Sequence, residues 1–179
     1  MEDMQEANVK KNGETSTISD LGVSILVPGE QGENYTINME YEDTETVEYP
    51  SAFLEIVRTW KRLLIREGVM PSGTIFTGRG LGATLVLASC LWCRDHGIPL
   101  PARIVLEDPL LVASEGIGRH YFSSADVDDP CAFPLIAEYY GFCHITVEYH
   151  ESSPLKDHAQ QLCRKLEEQG IFFDKKVFF

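Results

Sequence analysis

The segment of the chain best suited to chemistry is a glycine-rich turn that joins an apolar strand to an apolar helix. Residues 78–83 read Gly-Arg-Gly-Leu-Gly-Ala. One interpretation is a dinucleotide-binding fingerprint, in which the glycines let a pyrophosphate approach the helix N-terminus and Glu107 or Asp108 holds the ribose. On this interpretation the ligand-binding residues of the turn are Gly78, Arg79, Gly80 and Leu81.

The same turn has the frame of a nucleophile elbow, a sharp strand-to-helix turn that presents a nucleophilic side chain. The usual pattern is Gly-x-Ser-x-Gly, and here Gly80 occupies the place of the serine. A third interpretation needs no ligand, because glycines also let a helix pack closely on a strand and adopt positive φ without steric cost. Arg79 would recognise an anion in the first interpretation and would be an ordinary loop arginine in the third.

Two cysteines, Cys90 and Cys93, have the i, i+3 spacing of a redox or metal-binding pair. They lie inside the apolar helix that comes after the turn, and no second pair of ligands accompanies them. This setting predicts buried core thiols. Ser89 and Cys90 lie well beyond Gly80 along the helix, so neither is expected to replace a nucleophile there.

A group of imidazoles and carboxylates in the last third of the chain has side chains that suit zinc or manganese. Its members are His144, Glu148, His150, Glu151, Asp157 and His158. Their spacing matches no known ligand pattern, so no metal and no other cofactor is expected. His158 is predicted to be a solvated histidine on a helix surface.

Hydrophobic periodicity predicts strands that alternate with helices. Strands are expected at 23–27, 35–41, 73–78, 102–106, 144–149 and 171–179. Helices are expected from residue 51 to Gly68, over 81–95 and 132–140, and from Leu155 to Gly170, whereas 112–129 has the pattern of a loop. The strand–helix–strand unit across 73–106 is the kind that builds parallel sheets. The predicted fold class is therefore α/β, with a mostly parallel sheet flanked by helices.

Length and composition limit the classes of partner. The chain has 179 residues, which fits one domain, and 28 acidic against 15 basic residues leave 28 − 15 = 13 net negative charges. Such a chain lacks the basic surface that neutralises phosphates, so no nucleic-acid partner is expected. No apolar run approaches the roughly 20 residues of a membrane span, so no membrane role is expected.

The acidity is concentrated in the first part of the chain. Residues 1–50 hold 12 acids and 2 bases, a net charge of 2 − 12 = −10, whereas residues 51–179 hold 16 acids and 13 bases. The polar residues 1–20 predict a flexible acidic leader, which would solubilise the protein or steer a basic partner, and then one domain over 21–179. Five cysteines without framework spacing, and no secretory signal, predict a cytoplasmic protein with reduced thiols.

Several segments around the turn resemble those of a known family in order and spacing. Tyr41, a loop and Tyr49-Pro50 resemble its strand ending in tyrosine and its next helix start, and 69–78 resembles its strand into the elbow. Residues 95–109 resemble the family's segment after the elbow helix, and Pro154-Leu-Lys-Asp157 resembles the segment that carries its acid. From about residue 34 onward, the chain resembles the hormone-sensitive-lipase-like branch of the α/β-hydrolase fold. The resemblance implies an incomplete version of that fold.

The resemblance places the family's catalytic groups on residues that lack the required chemistry. The nucleophile falls on Gly80 and the acid on Ser153, which would instead cap a helix that begins at Pro154. The family's histidine is expected beyond Phe179, and no His-Gly-Gly sequence for an oxyanion site precedes Tyr41. The sequence therefore predicts a protein that is not a working esterase.

These residues support three functional hypotheses. The leading one is a catalytically inactive α/β-hydrolase-fold protein with a binding or interaction role, or a relic fragment. The alternatives are nucleotide binding by the 78–83 turn, or weak residual carboxylesterase activity. Because the apolar Val177-Phe-Phe179 lies on a late strand, a homodimer or a partner polypeptide is expected at that strand's edge.

Overall fold

The computed structural model describes residues 9–10, 21–29, 32–39, 41, 47–113 and 118–179. Within them the strands are β1 (Val9–Lys10), β2 (Val23–Pro28), β3 (Asn34–Met39), β4 (Ile75–Arg79), β5 (Arg103–Glu107), β6 (His144–His150) and β7 (Phe173–Phe178). The α-helices are α1 (Ser51–Arg66), α2 (Leu81–Asp95), α3 (Arg119–Ser123) and α4 (Lys156–Glu168). Short 3₁₀ turns lie at Pro71–Gly73 and Pro134–Ile136.

Two of the predicted elements are wrong. The expected loop at 112–129 contains α3, which forms because Tyr121 is buried against Tyr49 with ring centroids 5.6 Å apart. The expected helix at 132–140 is only the 3₁₀ turn Pro134–Ile136, because Ala137 is already extended. The other predicted strands and helices are confirmed, with bounds that differ by a residue or two.

The strands form one sheet in the order β1-β3-β2-β4-β5-β6-β7. Strands β4 to β7 pair in parallel, and β2 is antiparallel to both of its neighbours, β3 and β4. Consequently β3 to β7 run in one direction and β1 and β2 in the other. The predicted α/β class with a mostly parallel sheet is confirmed.

A short hairpin reverses the chain between β2 and β3. Its turn is closed by the Gly29 N–H, which donates to the Glu33 carbonyl at 2.7 Å. Because so few residues connect the two strands, no crossover helix fits between them. The hairpin makes β2 run opposite to β3, and β2 also runs opposite to β4. The start of β2 therefore lies beside the end of β4, with Val23 opposite Gly78.

Helices α1, α2 and α4 pack on the same face of the sheet, which we call the covered face. The Trp60 indole in α1 meets the Phe76 ring edge to face, with centroids 5.2 Å apart. A Cβ at Gly82 in α2 would lie 3.1 Å from Val23 Cγ2, and α4 lines a cavity together with Tyr149. The pairing register places Phe76, Val23 and Tyr149 on this one face.

The opposite face, which we call the open face, is covered by none of these three helices. Its residues are mostly polar, and most are partly exposed. At the carboxyl ends of the four parallel strands, an in-register row of charged residues crosses this face: Arg79, Glu107, Glu148 and Lys176. Polar alternation of this kind is typical of a sheet with one solvated face.

The predicted leader over 1–20 lies outside the described residues, apart from Val9–Lys10, which pair with β3. Among the described residues, no helix combines the length and the apolar character needed to cross a membrane.

Candidate functional site

The turn at Gly80 has the backbone of a nucleophile elbow. Gly80 lies directly between β4 and α2 with φ 56° and ψ −124°, a conformation that is strained for any residue with a side chain. Its N–H donates to the Glu107 carbonyl at 3.0 Å, and its carbonyl accepts the Leu110 N–H at 3.0 Å. These bonds fix the turn to β5 and to the segment after it.

The two flanking glycines let β4, α2 and β2 approach one another closely. A Cβ at Gly78 would lie 2.4 Å from the Gly82 carbonyl oxygen, and a Cβ at Gly82 would lie 2.3 Å from the Gly22 carbonyl oxygen. Backbone occupies both places where a side chain would have to go. The alternate glycines of the turn are therefore required by packing at both ends and by backbone conformation in the middle.

The first turn of α2 is buried within the protein. Residues 81–84 are all buried, and so are Gly78 and Gly80. A pyrophosphate at a helix N-terminus needs access to these N–H groups, so the geometry favours the elbow over the dinucleotide fingerprint. Of the four predicted ligand-binding residues, Arg79 alone lines a cavity described below. Ligand binding by the turn stays a prediction.

A cavity of about 180 Å³ opens where the carboxyl ends of the parallel strands meet the open face. Open α/β sheets bind ligands at this edge, because the loops after the strands diverge there. The lining residues are Arg79, Glu107, Asp108, Glu148, Tyr149, His150 and Phe178.

An aspartate and a histidine form an oriented pair in this cavity. Asp108 Oδ2 lies 3.0 Å from His150 Nδ1, and Asp108 Oδ1 accepts the His150 backbone N–H at 3.0 Å. Burial acts to raise the pKa of the Asp108 carboxyl, but the hydrogen bonds from His150 outweigh it and lower the pKa. Asp108 also has a positive φ of 39°, an uncommon conformation for a residue with a side chain.

This pair is not among the sequence predictions, which consider Asp108 for a ribose and His150 for a metal. The two residues lie 42 positions apart in the chain. The available signal is that each lies at the end of a strand, since adjacent parallel strands bring their carboxyl ends together.

Carboxylates give the rest of the cavity a negative character. The pKa of Glu107 is raised by burial and by the neighbouring charge of Glu148, and Arg79 opposes the rise. Glu148 is neutralised by Lys176, whose Nζ lies 2.6 Å from its Oε1. Arg79 forms no ion pair within 4 Å with any described carboxylate, so its guanidinium is available to a ligand.

Several solved esterase structures share this architecture. An esterase/lipase from an uncultured bacterium has a TM-score of 0.71 and 22% identity, over 82% of this chain and 56% of its own. An esterase from the bacterial hormone-sensitive lipase (HSL) family has a TM-score of 0.72 and 24% identity over the same shares. A hormone-sensitive lipase from a metagenome library has a TM-score of 0.69 and 19% identity over 80% and 55%. The chain has the α/β-hydrolase fold.

The likeness confirms the predicted resemblance at the level of the fold. The chain spans 56% of the length of the first two of these esterases. It matches no protein-family model and no curated protein.

Beside the elbow of this α/β-hydrolase fold, the segment before β2 presents a carbonyl to the end of β4. In enzymes of this fold, the oxyanion is held by the N–H after the nucleophile and by a second N–H from a separate loop. Here the start of β2 lies next to the end of β4, and the Gly22 carbonyl accepts the Arg79 N–H at 2.9 Å. A carbonyl oxygen cannot stabilise an oxyanion.

Ser153, at the predicted place of the catalytic acid, lies in the turn before α4. Its hydroxyl accepts the Leu155 N–H at 3.2 Å, and its side chain helps to lower the pKa of Asp108. The helix begins two residues later than the expected start at Pro154, because α4 starts at Lys156 with Leu155 as its cap. The extra turn places Ser153 outside the helix and beside the cavity.

The two histidines of β6 among the candidate metal ligands lie at opposite ends of that strand. His144 pairs with Asp174 at 2.9 Å at the amino end of β6, whereas His150 pairs with Asp108 at its carboxyl end. Within the part of the chain that the structure describes, no group of three or more such side chains could hold a metal ion.

His158 is not the solvated surface histidine that its sequence position predicts. Its Nδ1 accepts the Leu111 N–H at 3.1 Å, so this nitrogen carries no proton. Burial lowers the pKa of His158, with Asp157 opposing. The imidazole thus ties α4 to the segment that also holds the Gly80 carbonyl.

The five cysteines are free thiols. Cys90 and Cys93 are buried in α2, which confirms them as core residues, and burial raises the pKa of Cys93 to about 12. Thiols with such a raised pKa are poor nucleophiles and poor metal ligands at neutral pH.

Proposed function

We propose that this chain is a non-hydrolytic relative of the HSL-family esterases that acts by binding rather than by catalysis. The observation that carries the proposal is Gly80. It keeps the backbone conformation of the elbow, with φ 56° and ψ −124°, but has no atom that could attack a carbonyl.

Two neighbouring features support the proposal. Beside the elbow the Gly22 group that bonds to β4 is a carbonyl rather than an N–H donor, and the residue that the resemblance aligns with the family's acid is Ser153, which has no carboxylate. The oriented imidazole of His150 does not replace them, because no serine, threonine or cysteine lines its cavity among the described residues. The cavity instead offers a small polar ligand the Phe178 ring, carboxylates and the Arg79 guanidinium, which has no ion-pair partner among the described carboxylates.

The decisive experiment is hydrolysis of short-chain p-nitrophenyl esters by the wild type and by Gly80→Ser. We expect no turnover from either, because Ser153 stands in place of the family's acid and the Gly22 group beside the elbow is a carbonyl rather than an N–H donor. Gly80→Ala is the matched control, since it introduces the same backbone strain without the hydroxyl. Turnover by the wild type, or a large gain with Gly80→Ser over Gly80→Ala, would overturn the proposal.

The nucleotide-binding alternative is tested by thermal melting with NAD or NADP. We expect no shift in melting temperature, because the first turn of α2 is buried. A shift that saturates with NAD and disappears in Arg79→Gln would instead assign a nucleotide to this edge of the sheet.

We also propose that the protein resides in the cytoplasm. The proposal is supported by five free cysteines, because reducing compartments keep thiols unpaired. Fractionation of cells that express the full chain tests it, and recovery from the medium would contradict it.

A further inference from the structure

Most of the charged side chains around the cavity at the carboxyl ends of the strands already have partners within the chain. Asp108 bonds to His150, with 3.0 Å between the carboxylate Oδ2 and the imidazole Nδ1. Glu148 bonds to Lys176, with 2.6 Å between Oε1 and Nζ. These two pairs satisfy two of the three carboxylates that line the cavity.

Arg79 and Glu107 are the charged lining residues outside these pairs. They lie opposite each other on the adjacent parallel strands β4 and β5, so both side chains are on the open face. Adjacent strands are only about 4.8 Å apart. Nevertheless, no guanidinium nitrogen of Arg79 lies within 4 Å of a Glu107 carboxylate oxygen, and neither residue has another ion-pair partner among the described residues.

Two opposite charges that are neighbours without contact favour a ligand that carries both charges. A simple anion on Arg79 would meet the Glu107 carboxylate beside it, and a simple cation on Glu107 would meet the guanidinium. Burial and the charge of Glu148 raise the pKa of Glu107, so the chain alone does not compensate this carboxylate. A ligand ammonium would supply the missing positive charge, and a ligand carboxylate would supply the missing partner of Arg79.

One wall of the same cavity is aromatic. The Phe178 and His150 rings lie 5.3 Å apart between centroids, at an interplanar angle of 31°. Phe178 is 44% exposed, so its ring can cover apolar area of a ligand. An apolar group next to the two charges of the ligand would therefore have a surface to pack against.

The volume of the cavity limits the size of the ligand. Pockets for drug-sized ligands measure about 300–1,000 Å³. This cavity measures about 180 Å³, so it takes a smaller molecule. A dinucleotide or a long acyl chain exceeds it, whereas a single amino acid fits.

We propose that this cavity binds a free α-amino acid with a short apolar side chain. Its carboxylate would bond to the Arg79 guanidinium, its ammonium to the Glu107 carboxylate, and its side chain would pack against Phe178. In an α-amino acid all three groups branch from one carbon, which matches a cation, an anion and a ring around one small cavity. The inference rests on the binding role proposed above and names the class of its ligand.

Matched ligands test the two charges on the unmodified full chain. L-leucine should bind in titration calorimetry at concentrations up to about 10 mM. Isocaproate lacks the ammonium and isopentylamine lacks the carboxylate, so each should bind at least about tenfold more weakly than leucine, because each loses a charged hydrogen-bond pair. An absence of leucine binding, or equal binding of leucine and either analogue, would overturn the proposal.

Two variants assign each charge of the ligand to one residue. Arg79→Gln should abolish the preference for leucine over isopentylamine, and Glu107→Gln should abolish the preference for leucine over isocaproate. Arg103→Gln is the matched control, because Arg103 is an exposed arginine at the amino end of β5 on the same face. It should leave both preferences unchanged, and melting curves without ligand verify that each variant folds. Preferences that survive in folded Arg79→Gln and Glu107→Gln would overturn the assignment.

The aromatic wall has its own test. Phe178→Ala should abolish the preference for leucine over glycine, because glycine has no side chain to cover the ring. Phe172→Ala is the control, since Phe172 is 81% exposed and does not line the cavity. An unchanged preference in Phe178→Ala would remove Phe178 from the site.

The titration and the ester assay fail independently. Leucine binding together with ester turnover would overturn the non-hydrolytic role and retain the amino-acid site. A folded chain that shows neither turnover nor leucine binding would overturn the amino-acid site alone.

Discussion

The covered and open faces of the sheet differ sharply although alternate residues of the same strands build them. In β5, Ile104 and Leu106 are fully buried, whereas Val105 is partly exposed and Arg103 is exposed. Parallel strands covered on both faces usually read as continuous apolar runs. The alternation inside β5 therefore reports that one face of this sheet packs against helices and the other meets solvent or a polar ligand.

The same division separates the two candidate sites. Gly78 lies on the covered face, packed against Gly82 and Ala83 of α2. Arg79, the next residue, lies on the open face in the charged row and lines the cavity. The elbow thus belongs to the packed layer of the molecule, and the group available to a ligand belongs to the polar layer.

The largest expected effect compares adjacent residues of β5. Ile104→Ala should lower the free energy of unfolding by about 2–5 kcal/mol, because it leaves a cavity beneath the helices. Val105→Ala should lower it by about 1 kcal/mol or less, because the side chain is already partly hydrated. Urea denaturation measures both, and equal losses would mean that the open face is covered in solution.

The glycine packing of the covered face gives the next effect. Gly78→Ala should destabilise by about 1–3 kcal/mol, because its Cβ would meet the α2 backbone. Gly97→Ala is the control, since Gly97 has a φ of +66° but open space around its Cβ position. Its loss should be nearer 1 kcal/mol and purely conformational. If Gly78→Ala is tolerated without loss, α2 can move away from β4.

A pH dependence is expected from His158 on the covered side. Burial lowers the pKa of His158 in the folded chain, so the unfolded chain takes up a proton at a higher pH than the folded chain does. The contribution of His158 to the free energy of unfolding should therefore be complete above the unfolded pKa of 6.5 and be lost as the pH falls through the folded pKa. Protonation would remove the Leu111 hydrogen bond, worth about 0.5–1.5 kcal/mol. His158→Asn should flatten this part of the unfolding profile, and an unchanged profile would contradict the assignment.

The smallest effect belongs to the open face. Lys176→Gln removes the ion pair with Glu148 and should change the free energy of unfolding by about 0–1 kcal/mol, because water screens the lysine. The difference in the free energy of unfolding should shrink further at high salt, which screens the ion pair. A loss comparable to that of Ile104→Ala would mean that this row of charges is buried in solution.

The positions of elements with a strong hydrophobic pattern could be predicted from the sequence, whereas the pairing of strands with their neighbours in the sheet could not. Helix α2 is apolar all round because it lies between α1 and the sheet, and this pattern alone predicts its position. The pairing of β2 with β4 leaves no such trace, because it joins residues about 50 positions apart and depends on a hairpin turn.

The candidate site divides in the same way. The conformation of Gly80 is implied locally by the strand, the alternate glycines and the helix. The contact between Asp108 and His150 depends on the pairing of β5 with β6 and on a positive φ at Asp108. Aspartate tolerates that conformation but does not require it, so no local pattern indicates the contact.

The hairpin between β2 and β3 also bears on the order in which the sheet assembles. Neighbouring strands joined by a short turn can pair in about 1–10 µs, whereas the parallel pairs must first close long crossovers. During refolding, we expect amide protons of β2 and β3 to become protected from exchange before those of β5 and β6. The β2–β3 hairpin would then form first, and the free edge of β2 would be the site where β4 pairs.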